Sequence, residues 1–281
     1  MDLESFLTIR HLRESSTGAI ERLESCDAND LYGAALAVQN ELLVGDTIRY
    51  LGGRAEWRAA GSVLDLGCGP GDLIAHLSRR FPAKSYTGVD LSEEFVTVAA
   101  DRTRGLGNCR IVHADLYEFA EGRYDFVILR AVLQHLKYPD RLMERLPDLL
   151  SGNGAVLFLD TTKENFVAAH PPIAAFDDFY DKLAAAQKEH TGSRDCMAEL
   201  EGRLPGTGFR VVESLALLIP VTGAESREKV VQYLILGCAI AARMMSTPLD
   251  LNALVGDLLR WHDAEDSRLD IRSRLLLIAR A

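Results

Sequence analysis

A short apolar stretch in the first third of the chain ends in residues whose types and spacing suit the binding of a small molecule. Residues 63–72 read Val-Leu-Asp-Leu-Gly-Cys-Gly-Pro-Gly-Asp, in which Gly67, Gly69 and Gly71 recur at every second position. Glycine readily adopts positive φ angles and lets the atoms of another molecule come close to the backbone. An apolar strand that runs into such a turn and then into a helix is typical of nucleotide-binding proteins.

The elements around this turn predict an α/β fold. Between residues 62 and 160, apolar runs of β-type composition alternate with amphipathic helical patterns, which indicates a parallel sheet with helices on both faces. The predicted elements are the strands Val63–Leu66, Ser85–Val89, Arg110–His113, Asp125–Leu129 and Ala155–Leu159, the helices Asp72–Arg80 and Ser92–Arg104, and a third helix from 138–140 to the residue before Ser151. The carboxyl ends of parallel strands share one edge of the sheet, so residues at those ends converge.

Charged residues stand at or just after the ends of four successive strands. Asp65 and Asp90 close the first two strands, Asp115 follows the third, and Arg130 follows the fourth. An acid at the end of the second strand can accept hydrogen bonds from both hydroxyls of a ribose. An aspartate after a strand commonly caps the next helix instead. The occurrence at four strand ends together favours a binding site.

The sequence Asp-Leu-Gly-Cys-Gly-Pro-Gly at residues 65–71 resembles motif I of the class I S-adenosylmethionine-dependent methyltransferases. Nicotinamide and flavin enzymes use the different spacing Gly-x-Gly-x-x-Gly. The run Leu-Arg-Ala-Val-Leu-Gln-His-Leu at residues 129–136 resembles the small-molecule branch of the same family, and the Asn-Pro-Pro-Tyr motif of enzymes that methylate amino groups of nucleic-acid bases does not follow the fourth strand. The resemblance covers about residues 45–160 and, more weakly, the closing strands.

The resemblance implies a doubly wound, mostly parallel sheet of seven strands with S-adenosylmethionine as the cofactor. It places Asp65 and the backbone carbonyl of Arg130 at the amino group of the cofactor, and Asp90 at its ribose. It also places Asp115 at the exocyclic amine of adenine and the Leu116 N–H at a ring nitrogen. The implied cofactor-binding residues are Asp65, Gly67, Cys68, Gly69, Gly71, Asp90, Leu91, Asp115, Leu116 and Arg130.

The acceptor side of such a site needs alignment and exclusion of water more than a covalent residue. An acceptor hydroxyl or protonated amine is helped by a base that titrates near neutrality, and His135 is the candidate, with a packing role as the alternative. The Arg130 side chain either binds a carboxylate or forms a structural salt bridge. The residues predicted to line the acceptor site are Tyr32, Asp160, Phe176, Phe179 and Tyr180. Each aromatic ring among them is equally compatible with a core beneath a lid.

The remaining segments predict a helical cap on the core. The predicted domains are an N-terminal cap over residues 1–55, a cofactor-binding core over 56–160, a helical insertion over 161–204, and closing strands over 205–281 with a helical insertion at about 226–265. Apolar residues at helical spacing between Val230 and Met245 predict a helix that packs inside the cap or against a second subunit. A homodimer is therefore one expectation.

Composition and charge restrict the class of protein. The chain has 281 residues, of which 48% are hydrophobic and 26% charged, enough for a large domain with a cap. A net charge of −10 and a pI near 5.2 argue against binding to nucleic acid or to an anionic membrane.

Cysteine usage and the N-terminus predict the compartment. Five scattered cysteines without a Cys-x-x-Cys or Cys/His cluster predict reduced thiols, no metal site and a cytoplasmic location. The N-terminus lacks the pattern of a signal peptide. The longest apolar run, Tyr233–Ala242, is too short to cross a membrane.

Together these observations predict an S-adenosylmethionine-dependent methyltransferase that acts on a small molecule, with oxygen favoured over nitrogen or carbon as the acceptor atom; secondary metabolism is one setting for such an enzyme. The alternative is an enzyme on the same scaffold that uses the bound cofactor for cyclisation, decarboxylation or hydroxylation without methyl transfer. A non-catalytic binding protein and a nicotinamide-dependent reductase are two further alternatives. The presence of Gly67, Gly69, Gly71, Asp90 and Asp115 argues against a non-catalytic protein. The spacing of the glycines argues against a nicotinamide-dependent reductase.

Overall fold

A computed structural model describes residues 3–162, 166–190 and 192–281, and the chain divides into two compact units. We call the first the helical unit; it comprises Met1–Leu43, Asn165–His190 and Leu218–Arg272. We call the second the sheet unit; it comprises Val44–Glu164, Thr191–Leu217 and Ser273–Ala281. Residues 163–165 and 191 of the predicted insertion 161–204 lie outside the described residues.

The order of elements alternates strands and helices in the middle of the chain. The helices are α1 (Leu3–Phe6), α2 (Ile9–Ser25), α3 (Ala28–Gly52), α4 (Ala55–Ala59), α5 (Asp72–Arg80), α6 (Glu93–Arg102), α7 (Pro139–Leu149), α8 (Ala174–His190), α9 (Cys196–Arg203), α10 (Ala224–Met244) and α11 (Leu251–Asp263). The strands are β1 (Ser62–Leu66), β2 (Ser85–Asp90), β3 (Cys109–His113), β4 (Tyr124–Arg130), β5 (Leu150–Asp160), β6 (Val167–His170), β7 (Phe209–Pro220) and β8 (Arg268–Arg280). A short 3₁₀ turn, Leu133–His135, follows β4.

The sheet has eight strands, of which six follow the order β3-β2-β1-β4-β5-β8, while β7 and β6 also pair with β8. Strands β1 to β5 run parallel, and the last residues of β8 run antiparallel to β5. The predicted α/β fold with a mostly parallel sheet is confirmed. The parallel order places the carboxyl ends of β1, β2, β3, β4 and β5 along one edge, as the sequence predicts.

The number of strands differs from the predicted seven, because a short strand lies in a segment that the sequence predicts as mostly helical. In the helical unit, β6 pairs antiparallel with the first residues of β8. Four residues are too few for a two-residue alternation to be visible in the sequence, and the strand exists because its partner supplies the hydrogen bonds.

The central strands are buried on both faces, so their sequences are almost continuously apolar. In β4, Phe126 and Ile128 pack into one cluster with Trp57 of α4, whereas Val127 and Leu129 pack into a second cluster with residues of α7. Successive side chains of a strand point to opposite faces, which explains the alternation. The sheet is thereby held rigidly between two helical layers.

The helices that follow β1 and β2 begin where the sequence predicts. Helix α5 has Gly71 at its N-cap and buries Leu73, Ile74 and Leu77 against the sheet. Helix α6 begins after Ser92, whose hydroxyl accepts a hydrogen bond from the Phe95 N–H at 3.2 Å. Both helices therefore start immediately at the carboxyl edge.

The helical unit has an apolar core of its own. Helix α10 buries Val231, Leu234, Ile235 and Cys238 within this core, together with residues of α2, α8 and α11. Of the two positions that the sequence allows for this helix, packing inside its own unit is the one observed. In the part of the chain that the structure describes, no helix combines the length and the apolar character needed to cross a lipid bilayer.

Candidate active site

Three glycines in the turn after β1 have positive φ angles, and two of them, Gly67 and Gly71, have no room for a side chain. The φ angles of Gly67, Gly69 and Gly71 are +77°, +54° and +79°. A Cβ atom on Gly67 would lie 2.6 Å from Cγ2 of Val132, and one on Gly71 would lie 2.8 Å from Cβ of Ala99. Conformation and space therefore both require glycine, and the turn offers backbone atoms to a bound molecule.

Hydrogen bonds tie this glycine turn to the end of β2. The N–H groups of Gly67 and Cys68 both donate to the Val89 carbonyl, at 2.8 and 3.0 Å. The Gly69 N–H donates to Oδ2 of Asp90 at 2.7 Å. The Cys68 side chain is buried beneath the turn, and this burial raises the pKa of its thiol. Cys68 thus offers its backbone, and not a reactive thiolate, to the site.

The Asp90 carboxylate holds the surrounding backbone and still has lone pairs with which it can bind a ligand. Its Oδ2 holds the glycine turn, and its Oδ1 accepts a hydrogen bond from the Ser92 N–H at 2.9 Å. An ionised carboxylate has about four lone-pair positions, so it can also accept ribose hydroxyls. The adjacent Leu91 side chain is 68% exposed and leaves an apolar surface at this edge for a flat ring.

Asp115 and Leu116 lie after β3 in a hydrogen-bonded turn. Oδ1 of Asp115 accepts the Tyr117 N–H at 2.8 Å, and its carbonyl accepts the Glu118 and Phe119 N–H groups. Leu116 is half-buried and packs against the apolar cluster that contains Leu129. Asp115 thus makes the hydrogen bonds of a turn residue, and its role at the adenine stays a prediction.

Asp65 is a buried acid at the end of β1. Its side chain is only 3% exposed, and it interacts electrostatically with Arg130 and Asp90. Burial raises the pKa of Asp65 to about 7; the Arg130 guanidinium opposes the rise, and the Asp90 carboxylate adds to it. A cationic ligand group beside Asp65 would restore its full negative charge.

The chain leaves β4 through a constrained segment that borders the glycine turn. Ala131 has a φ of +56°, which is unfavourable for a residue with a side chain. Val132 then packs against Gly67, and the Leu133–His135 turn follows. This arrangement keeps Arg130 and His135 at the same edge as Asp65.

Asp160 and His135 occupy the part of the edge formed by β4 and β5. Asp160 is buried, its Oδ1 accepts the Thr161 N–H at 2.8 Å, and its Oδ2 accepts the Gln134 N–H at 3.4 Å. Burial raises the pKa of Asp160 to about 6, against the effect of these hydrogen bonds. His135 is an exposed residue at this edge, and the protein atoms around its ring partly desolvate it. Desolvation and the Arg194 guanidinium hold its pKa below the usual value, so the ring is neutral at pH 7 and a weaker base than an ordinary imidazole.

Two arginines of this region have no signal in the sequence. Nη1 of Arg102 donates to the Pro70 carbonyl at 2.7 Å and pairs with Asp72, which holds the glycine turn from the side of α6. Nη1 of Arg194 donates to Oε1 of Gln134 at 2.6 Å across a separation of sixty residues. Both contacts depend on the folded arrangement of distant segments.

The four aromatic residues predicted to line the acceptor site lie in the helical unit. Phe176, Phe179 and Tyr180 are buried in its apolar core, and Tyr32 packs against the same core while half-buried. Phe179 also borders a groove of about 650 Å³ between α8 and the start of α11. Their packing matches the alternative given above, and a role at the acceptor stays a prediction.

The raised pKa of Asp65 predicts how stability changes with pH. The folded protein binds this proton more tightly than the unfolded chain, so the free energy of unfolding falls as pH rises from about 4 through 7. From about pH 5 to about pH 8, we expect the free energy of unfolding of the ligand-free wild type to fall by roughly 2–3 kcal/mol more than that of ligand-free Asp65→Asn. Urea unfolding at both pH values measures this difference, with Asp101→Asn as the control because Asp101 is an exposed acid on α6. Equal losses in wild type and Asp65→Asn would show that Asp65 is ionised throughout.

Comparison with known proteins relates this geometry to a family. Residues 63–154 match the family model described as a methyltransferase domain. A malonyl-[acyl-carrier protein] O-methyltransferase of Halalkalibacterium halodurans is 28% identical over 114 residues, which are 39% of this chain and 42% of that protein. A demethylmenaquinone methyltransferase of Staphylococcus aureus is 29% identical over 141 residues, 47% of this chain and 58% of that protein. The chain thus spans about half the length of these curated relatives.

Solved structures share the fold at low sequence identity. The YcgJ protein from Bacillus subtilis has a TM-score of 0.51 at 16% identity, over 84% of this chain and 97% of that one. A coclaurine N-methyltransferase bound to N-methylheliamine and S-adenosylhomocysteine also has a TM-score of 0.51 at 16% identity, over 78% of this chain and 67% of that one. The part of the chain that is similar to a methyltransferase domain thus runs from β1 to the start of β5, and it contains the glycine turn, Asp65, Asp90, Asp115 and Arg130.

Proposed function

We propose that this protein transfers the methyl group of S-adenosylmethionine to an oxygen atom of a small-molecule acceptor. The observation that carries the proposal is the hydrogen bond between Gly69 and Asp90, which assembles a closely packed glycine turn beside an acid able to bind ribose. Asp65 lies at the same edge, where its charge suits the amino group of the cofactor. When bound, the cofactor supplies a methyl group on a sulfonium, which is an electrophile.

The choice of oxygen rests on the residues at the ends of β4 and β5. Asp160, Gln134 and Arg194 form a polar group there, and His135 is neutral and open to water. Such donors and acceptors suit an oxygen-bearing acceptor better than an apolar carbon nucleophile. The relative from Halalkalibacterium halodurans is named as an O-methyltransferase, which agrees with this choice.

The remaining parts of the proposal concern the setting of the reaction. The negative net charge supports a small-molecule acceptor over nucleic acid. The five cysteines are free thiols, which is consistent with a cytoplasmic protein. A homodimer is not needed to cover α10, because the helical unit buries its apolar face.

Labelled cofactor tests the reaction type. We expect the purified protein to move radioactivity from S-adenosyl-[methyl-¹⁴C]methionine into an oxygen-bearing acceptor and to release S-adenosylhomocysteine in equal amount. Turnover of an acceptor without label in the product would favour the alternative in which the cofactor is used without methyl transfer. Tighter binding of NAD than of S-adenosylmethionine, measured by calorimetry, would contradict the proposal.

Asp90 should contribute strongly to cofactor affinity. We expect Asp90→Ala to weaken S-adenosylmethionine binding by about 1–3 kcal/mol, since hydrogen bonds to a charged acceptor are lost and the turn loses its anchor. Isothermal titration calorimetry measures the change. Asp101→Ala is the matched control, because Asp101 is an exposed acid whose salt bridge is with Arg104. Unchanged affinity of Asp90→Ala would remove Asp90 from the site.

His135 should make a limited contribution to turnover. A general base contributes about 100-fold or more, whereas a neutral imidazole with a lowered pKa is a poor proton acceptor. We expect His135→Asn, which keeps a polar side chain of similar size, to retain kcat within about tenfold of the wild type. A loss of about 100-fold or more in kcat, with cofactor affinity unchanged, would establish His135 as the base.

A further inference from the structure

A segment distant in sequence packs directly onto the turn that follows β4. A Cβ atom on Gly192 would lie 2.1 Å from the Gln134 carbonyl oxygen, so the two backbones are in contact. The Thr161 hydroxyl donates to the Arg194 carbonyl at 3.4 Å, and the Ser193 hydroxyl donates to Glu199 of α9 at 2.8 Å. The segment from Gly192 to the start of α9 is thus fixed against the ends of β4 and β5.

This packing holds the Arg194 guanidinium at a defined position. Its Nη1 donates to Oε1 of Gln134, a buried side chain whose backbone N–H donates to Asp160. The guanidinium charge acts on groups beyond this hydrogen bond, because it lowers the pKa of both Asp160 and His135. Arg194 therefore supplies a positive charge at the Leu133–His135 turn, which the Asp160 carboxylate offsets in part when it is ionised.

A continuous series of contacts connects Arg194 with the glycine turn. Gly67 touches Val132, the His135 N–H donates to the Val132 carbonyl at 3.0 Å, and Gln134 in the same turn receives Arg194. All of these residues belong to the sheet unit. The positive charge thus lies on the β4 and β5 side of the glycine turn.

We propose that Arg194 is a specificity-determining residue that selects acceptors whose attacking oxygen is acidic and arrives as an anion, as in a carboxylate or a phenolate. The proposal rests on the proposed function and deepens it. An ionised oxygen attacks the methyl carbon, and the carbon–sulfur bond breaks with its electron pair remaining on sulfur. The products are a neutral methyl ester or ether and S-adenosylhomocysteine, and no proton has to be removed.

The same charge disfavours the other acceptor classes. A guanidinium repels a protonated amine and stabilises an oxygen anion. An aliphatic alcohol must lose a proton of high pKa during the reaction, and the neighbouring imidazole is weakened as a base by this arginine. The Arg194 guanidinium, which acts on both His135 and Asp160, thus suits an acceptor that needs no base.

A panel of matched acceptors tests the assignment. Naphthyl and octyl skeletons are each supplied with different functional groups: 1-naphthoic acid, 1-naphthol, 1-naphthylmethanol and 1-naphthylmethylamine, and octanoic acid, octanol and octylamine. Transfer from S-adenosyl-[methyl-¹⁴C]methionine is measured, and mild alkali then releases label from a methyl ester but not from an aryl methyl ether. We expect label on an acid or a phenol, with the alkali step distinguishing a carboxylate from a phenolate substrate.

Substitutions of Arg194 test whether this residue causes the preference for acidic acceptors. We expect Arg194→Gln to lower kcat/KM for the accepted acid or phenol by about 100-fold while leaving the Kd for S-adenosylmethionine unchanged, and Arg194→Lys to restore part of the loss. Arg203→Gln is the control, since Arg203 is an exposed residue of α9 whose ion pairs are with Asp140 and Glu199. Circular dichroism melting shows that each variant is folded.

Each outcome separates the inference from the proposed function. Preferred transfer to an alcohol or an amine, full activity of Arg194→Gln on the accepted acid, or no transfer to any acid or phenol by protein that binds S-adenosylmethionine would overturn the selectivity. Failure to bind either S-adenosylmethionine or S-adenosylhomocysteine in calorimetry would instead overturn the proposed function.

Discussion

The Gly69 N–H donates a hydrogen bond to the Asp90 carboxylate, and the geometry of the carboxyl edge of the sheet depends on this bond. Asp90 ends β2, whereas the glycine turn follows β1, so one interaction joins two strand ends. The turn requires positive φ angles at three glycines, and only Cys68 and Pro70 supply side chains within it. The bonds from Gly67 and Cys68 to Val89, together with Arg102 on Pro70, complete the support from neighbouring elements.

Charge at this edge is arranged in two pairs of unlike groups. Asp65 lies near Arg130, and Asp160 lies near Arg194; both acids are buried, and burial raises the pKa of each. Removing a carboxylate from water costs free energy, which the arginines and backbone donors offset only in part. The first pair lies toward the glycine turn and suits a cationic ligand group. The second pair lies toward His135 and suits an acceptor.

The helical unit contributes a separate core, and its aromatic residues show that composition alone leaves two roles open. Phe176 and Tyr180 pack with Phe166 at ring distances of 5.5 and 5.6 Å, within an apolar core that includes Trp261. Aromatic side chains at helical spacing satisfy a buried core and a ligand pocket equally well. Only the neighbours of each ring distinguish the two uses.

The sequence alone determined the α/β fold, the edge that the carboxyl ends of the parallel strands share, and the glycine turn beside Asp90. These features are local: a strand, a turn that needs glycine and a following helix are encoded within about thirty residues, and the parallel order brings the strand ends together. Only the tertiary structure decided that β6 is a strand, that Phe176 lies in a core, and that Arg194 stands beside His135. Each of these depends on a partner far along the chain, such as β8 for β6 or Gln134 for Arg194, and neither periodicity nor spacing carries information about a contact sixty residues away.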